Sequence, residues 1–285
     1  MRSCGMPRDA PILPLHQRAD GAFALVFGAG PGGGVLRDLY QQAPLRILFP
    51  TPETGDPPLA ALVNCAGGLA GGDALHQSVA LEPGARATLS SAAAEKIYRS
   101  LGPETHIATT LRLGEEAALE WIPQETILFD GARLKRRMEA HLAANARLLA
   151  AEMLVFGRAA RGERLCRGGV LDAWRLHGPE GLRWADSLAL SGDITAQLDA
   201  PFAFAGAEAL GTLLLASPDA EAQLGLVRNL PHPVPGGATM PRPGLLLARW
   251  LGAAAAVRRA VGAAIVALRA SSLSLPPRLP RLWTT

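Results

Sequence analysis

The chain has 285 residues, 49% hydrophobic and 19% charged, which is long and apolar enough to bury a full core without disulfides or a structural metal. Twenty-eight Lys and Arg face 25 Asp and Glu, a formal charge of +3 that is too small for a dedicated nucleic-acid binder. The three cysteines, Cys4, Cys65 and Cys166, form no Cys-x-x-Cys pair, which excludes a zinc ribbon, a redox dithiol and a disulfide scaffold.

Pro7, Pro11 and Pro14 punctuate the start, and residues 1–15 lack the apolar core of an export signal. Ala22–Phe27, Leu45–Phe49 and Ala60–Cys65 read as short strands between Gly-rich and Pro-rich breaks. Leu75, Gln77, Val79 and Leu81 alternate with His76, Ser78 and Ala80, and Pro83-Gly84 then turns the chain into a return strand, Ala85–Ser91. Ile107–Leu113 alternates again, and Ala117–Trp121 and Thr126–Phe129 follow. Residues 132–151 fit a helix on propensity. They also fit a strand whose core face, Leu134, Met138, Ala140 and Leu142, carries one polar intruder, Arg136. Trp174–Leu176 and Gly181–Leu188 read as a hairpin around Gly178-Pro179-Glu180.

After about residue 200 alternation stops. Ala207–Leu215 and Gly244–Ala270 are rich in Ala and Leu, and the second reads as the longest helix, with its arginines on a polar stripe. Pro276, Pro277 and Pro280 lead into an extended tail. The expected fold is mainly β, an antiparallel or helical β architecture with a few α-helices, the longest near the C-terminus. One domain spans 1–285, mainly β to about 200 and helix-containing over about 201–285. No run of about 18 residues is free of charge, so no membrane span is expected, and the expectation is a cytoplasmic protein.

Gly28-Ala29-Gly30-Pro31-Gly32-Gly33 matches a dinucleotide-binding pattern after a strand. A phosphate site also needs a helix N-terminus, and no amphipathic helix follows, so a surface loop is the plainer reading. The six histidines, at 16, 76, 106, 141, 177 and 232, show no paired spacing. The run Gly67-Gly68-Leu69-Ala70-Gly71-Gly72-Asp73 permits backbone barred to other residues, making a tight crossover or a close approach. Asp73 is then a turn acceptor or a polar site lining a passage. Glu125, Asp130 and Glu163 lie amid apolar strands, where a carboxylate needs a partner. They pair with cations such as Arg133 or Lys135, or offer oxygen ligands to a divalent ion.

Three segments, Asn64–Asp73, Ala92–Ser100 and Glu120–Ala132, resemble signatures of the urease accessory protein family UreD, also called UreH. Phe156-Gly157-Arg158 with Gly162-Glu163, Trp184 and Asp186 with Gly192-Asp193, and Leu279–Trp283 are similar too, in order over about nine tenths of the chain. Glu95 departs from the pattern, standing where a small polar residue is expected. The resemblance implies a mainly-β scaffold without catalysis or a tightly bound cofactor. It implies binding of the helical partner UreF, recruitment of the GTPase UreG, and transient passage of nickel to apo-urease, with no nucleic-acid or membrane partner. It also favours strand over helix for residues 132–151. Weak, replaceable oxygen ligands suit such a hand-over, and Asp73, Glu125, Asp130 and Glu163 are the candidates. The alternatives are a nucleotide-dependent enzyme using Gly28–Gly33 and a β-scaffold of another complex.

Overall fold

The computed structural model describes residues 18–284. The Pro-rich opening, the segment read for an export signal, Cys4, His16 and Thr285 lie outside the described residues. The chain begins with a hairpin of β1 (Asp20–Gly28) and β2 (Val35–Gln42). The Gly28–Gly34 run joins them through one 3-10 turn at Pro31–Gly33, with no helix at its end. A second antiparallel pair follows, β3 (Leu45–Leu48) and β4 (Leu59–Asn64).

From there the chain winds between two sheets. β5 (Ala74–Leu81), β8 (Thr105–Leu113), β11 (Arg133–Leu142) and β13 (Gly169–Gly178) are parallel neighbours in one sheet. β4, β6 (Arg86–Ser91), β9 (Ala118–Trp121) and β12 (Arg147–Phe156) are parallel neighbours in the other. Short β7 (Glu95–Ile97) and β10 (Thr126–Leu128) extend the second sheet beside β12. The strand read as returning beside β5 therefore lies in the opposite sheet, because each turn carries the chain across the sandwich. The stagger is uneven: 32 residues separate Gln77 from its neighbour Thr109, and 36 separate Arg136 from Asp172. An uneven coil leaves no fixed sequence period.

Antiparallel strands close both flanks. β14 (Gly181–Ser191) returns beside β13 through a bulge at Leu176/His177 and completes a seven-stranded sheet. After α1 (Ile194–Asp199), β15 (Ala209–Ala216) pairs with β12. Then α2 (Ala220–Arg228), β16 (Gly236–Arg242), β17 (Leu245–Gly252) and α3 (Ala254–Ser271) follow, and β16 and β17 complete a ten-stranded sheet. Both the antiparallel and the helical β elements of the expected fold are present, and residues 133–142 and 147–156 are strands.

The reading of Gly244–Ala270 as one helix is corrected. Leu245–Gly252 is a strand between β15 and β16, and the helix starts at Ala254. β15 and β17 are covered by the sandwich interior on one face and by helices on the other, so neither shows alternation. The portion after residue 200 is consequently strand as well as helix. The arginine stripe is corrected too. Arg249 sits on β17, and Arg269 is fully buried.

One apolar core fills the sandwich and a second lies between the ten-stranded sheet and α2 and α3. Val257, Val261, Ile265 and Leu268 of α3 are fully buried, each contributing up to about 1.5–3 kcal/mol. Gly211 of β15 lets α3 close on the sheet, since a Cβ there would stand 2.6 Å from Val261. Ala253 caps α3 without a side-chain oxygen, and Glu208 instead accepts from the Ala254 N–H at 3.2 Å.

Candidate functional site

The interior of the sandwich is not wholly apolar. Between the sheets lies a cavity of about 170 Å³ whose lining includes Asn64, Gln77, Ser91, Glu95, Thr109, Gln124, Thr126, Arg136 and Glu152. Exposed Ala92, Ala93 and Lys96 frame its mouth. Asn64 with Gly67, Ala92–Lys96, and Trp121 with Pro123, Gln124 and Thr126 come from the three long segments singled out in the sequence. They meet here because β4, β7, β9 and β10 end or begin at the same side of the sandwich.

Across the cavity, Arg136 of β11 holds Asp172 of β13 with two charge-assisted bonds, Nε–Oδ1 at 2.9 Å and Nη2–Oδ2 at 2.7 Å. Its Nη2 is also 3.0 Å from Glu152 Oε2 on the opposite sheet, and Nη1 donates to Thr126 Oγ1 at 3.2 Å. Trp121 Nε1 donates to the other Glu152 oxygen at 3.0 Å. Arg136, Glu152 and Asp172 are all buried. Burial pushes the Glu152 carboxyl up, against the pull of Arg136.

Nearer the mouth, Asn64 Nδ2 donates to both Glu95 oxygens, at 3.0 and 3.1 Å, and the Lys96 N–H donates to Oε1 at 3.2 Å. Burial pushes the Glu95 carboxyl above its ordinary value of 4.5, and these donors and the Lys96 charge offset part of that rise. Among the lining residues Lys96 and Arg136 balance Glu95 and Glu152, and Asp172, bonded to Arg136 outside the lining, adds one more carboxylate. The set offers oxygen donors without a cage. Among the described residues no three His, Cys, Asp or Glu side chains are grouped to hold a metal ion.

A carboxyl whose pKa is higher in the folded than in the unfolded chain stabilises the fold at low pH. That contribution is lost as pH rises from 4.5 through the raised value. Glu95→Gln removes the ionisation and is expected to be more stable than the parent at about pH 7, with the difference vanishing toward about pH 4. Urea midpoints of both proteins across that range check this, and a difference independent of pH overturns it.

The four carboxylates proposed from sequence sit elsewhere on the fold. Asp73 is a turn acceptor at the end of the glycine run, taking the Ala19 N–H at 2.9 Å and the Ala70 N–H at 2.7 Å. The run itself packs tightly: Gly68, at φ +151°, lies so close to Tyr98 that a Cβ would stand 2.6 Å from the ring. Glu125 is paired with Arg258 of α3. Asp130 and Glu163 do meet, with the Asp130 N–H 3.3 Å from Glu163 Oε1. Desolvation raises the Asp130 carboxyl, but the N–H groups of Cys166 and Arg167 and nearby cations bring it below its ordinary value. Hydrogen bonding from Arg158 lowers Glu163. Arg158 also lies over the Phe129 ring at 4.4 Å, and Phe129 meets Tyr98 edge-on at 5.1 Å. The structure brings together Asp130 and Glu163, whereas Asp73 and Glu125 each stand apart with their own partners.

Sequence reasoning placed Arg136 on the core face and noticed Glu95, but assigned neither to a site. Asn64 entered only as the first residue of a family segment, and Glu152 and Asp172 were passed over. Glu152 was findable, since it is the one charge within the apolar stretch Leu148–Phe156.

Comparison with known proteins gives a family model, the UreD urease accessory protein, matching residues 19–284. The chain is 52% identical over 238 residues to a urease accessory protein UreD of Granulibacter bethesdensis, covering 83% of this chain and 99% of the relative. It is 47% identical over 288 residues to urease accessory protein UreD 1 of Methylobacterium radiotolerans, covering 97% and 96%. A UreD of Magnetococcus marinus is 39% identical over 287 residues, covering 97% and 99%.

Proposed function

The chain belongs to the UreD urease accessory protein family, and from that premise we propose that residues 1–285 act as one non-catalytic cytoplasmic scaffold for urease maturation. In this reading it docks on apo-urease together with UreF and UreG, and nickel crosses the sandwich on its way to the urease site. The observation that carries the reading is the polar cavity: three family segments converge on it, and it places replaceable oxygen and amide donors between two apolar layers. A divalent ion cannot cross a dry apolar core, whereas Glu95, Asn64, Gln77 and Glu152 offer successive weak ligands. Asp130 with Glu163, Asp73 and Glu125 remain candidates for other points of a path, each exchanging its present partner for the ion. No helix among the described residues is long and apolar enough to cross a membrane.

The test is a plug. Ala94 is half-buried at the mouth, and Ala94→Trp narrows the opening without touching the Arg136 cluster. Nickel per urease site in cells carrying the variant is expected to fall on the order of tenfold, since ~1.4 kcal/mol of added barrier or lost affinity suffices for that factor. Co-purification with UreF and apo-urease is expected to persist. Full nickel loading with the assembly intact overturns the passage through this cavity.

A further inference from the structure

Four of the chain's six histidines and a cluster of cations, scattered in sequence, are gathered on the outer face of the seven-stranded sheet. Alternation along β8, β11 and β13 turns Thr109, Arg136 and Trp174 inward and leaves Arg112, Lys135, Arg137 and Arg175 exposed. The registers set them side by side. Lys135 is opposite His106, and His141 lies between Arg112 and His177 in one row. The His141 and His177 rings stack at 4.6 Å, and His76 of β5 lies at the other end, 3.7 Å from Asp20. Over β5, β8, β11 and β13 the only outward carboxylate is Glu139, paired with Arg137. With half-buried Arg133 at the start of β11, five cations against one carboxylate leave an excess of four.

Nothing described covers this face. α2 and α3 pack on the ten-stranded sheet, and α1 packs against β14. Between the charges the outward positions are small, as at Ala108 and Ala173, so the face is broad and flat. We infer that it is a docking surface for a flat, acidic protein surface, an inference that rests on the scaffold reading above and names the kind of partner surface it meets. Charge of one sign on a flat face steers and orients a partner of the opposite sign. A nucleic acid fits less well. Apart from the histidine rings, of which His141 and His177 already stack on each other, the four strands present no outward aromatic side chain on which a base could stack, and a flat sheet does not enter a groove. An anionic membrane fits less well too, because a single large apolar side chain, Leu171 of β13, and no Phe, Tyr or Trp accompany the cations on the four strands.

The experiment measures binding of the full chain to purified cognate apo-urease and to UreF, at about 50 mM and about 0.5 M salt. The variant is R112E/K135E/R175E, with R112Q/R175Q as a milder second form and R161E/R242E as a control of equal chemistry elsewhere. Circular dichroism and melting confirm that each variant is folded. Charge reversal on the face is expected to weaken one of the two complexes about tenfold or more at low salt, with the difference shrinking at high salt. The control is expected to change little, and the Gln form to lie between. Equal affinity of parent and face variants for both partners overturns the inference and leaves the scaffold reading standing. A parent chain that binds neither partner overturns both. Loss of binding to oligouridylate or to phosphatidylserine vesicles, with both protein complexes unchanged, assigns the face to those ligands and overturns it as a protein surface.

Discussion

Arg136→Ala is expected to cost about 3–5 kcal/mol of folding stability, a large share of what a domain of ordinary stability has. The guanidinium is buried, and it stands within 3.0 Å of two buried carboxylates from opposite sheets. Removing it leaves Glu152 and Asp172 facing each other without a counter-charge. Trp121 and the cavity's polar lining supply only part of the lost solvation. The deficit is electrostatic, so it depends on pH. Glu152 is already pushed up by burial, and protonating it relieves the variant, so the loss is smaller at about pH 5 than at about pH 7. Urea unfolding at the two pH values measures this. A loss under about 1 kcal/mol at both means that the cavity hydrates the carboxylates well enough to stand in for the arginine, and the cluster is not a structural clamp. A triple replacement of Arg136, Glu152 and Asp172 by apolar residues of similar size is expected to recover most of the stability. It also removes Glu152 from the cavity, so it separates the clamp from the proposed passage: the fold returns, and nickel delivery does not.

What the sequence made legible follows from how local each signal is. β5 and β8 announced themselves because one face is buried and the other meets solvent, which writes period two into Leu75–Leu81 and Ile107–Leu113. β15 and β17 are covered on both faces, and runs of Leu and Ala interrupted only by Gly211, Thr212, Arg249, Trp250 and Gly252 carry no period of two. The pairing was not legible either. Pro83-Gly84 is a turn in either topology, and nothing in those two residues tells a hairpin from a crossing to the opposite sheet. The cavity followed the same logic. Its charges Glu95, Arg136 and Glu152, with Asp172 bonded to Arg136, are spread over 78 residue positions and meet only because strands a full coil apart are neighbours. A carboxylate amid apolar residues was the right signal to follow. Asp73 and Glu125 gave the same signal for another reason, a turn in one case and a helix contact in the other.

Arg269 lies in the segment whose arginines were read as a polar stripe, and its burial makes it the second position where one substitution is expected to be severe. It lies in the last turn of α3, where a cation also suits the helix dipole. Its side chain is inaccessible and stands 2.6 Å from Asp56 and 3.2 Å from Glu120, and it donates to the Arg278 carbonyl at 2.9 Å. Glu120 belongs to β9 and takes a further bond from Thr88, while burial pushes its carboxyl up against the pull of Arg269. Asp56 precedes β4, and Arg278 belongs to the tail that carries buried Trp283, whose Nε1–H donates to the Ile122 carbonyl at 2.8 Å. One guanidinium thus joins the helix, the central strands, the loop before β4 and the tail. Arg269→Ala is expected to cost about 3–5 kcal/mol, again because a buried carboxylate loses its counter-charge. Arg278→Ala serves as the comparison. Its pairs with Glu53 and Asp56 are more than one-third exposed on the arginine side, and exposed pairs contribute about 0–1 kcal/mol. Urea midpoints rank the two, and limited proteolysis after Ser271 reports release of the tail. Equal small losses for both variants mean that Glu120 is accommodated by Thr88 alone. A large loss for Arg269→Ala with the tail still protected assigns the effect to the sheet, and places the anchor of the tail at Trp283.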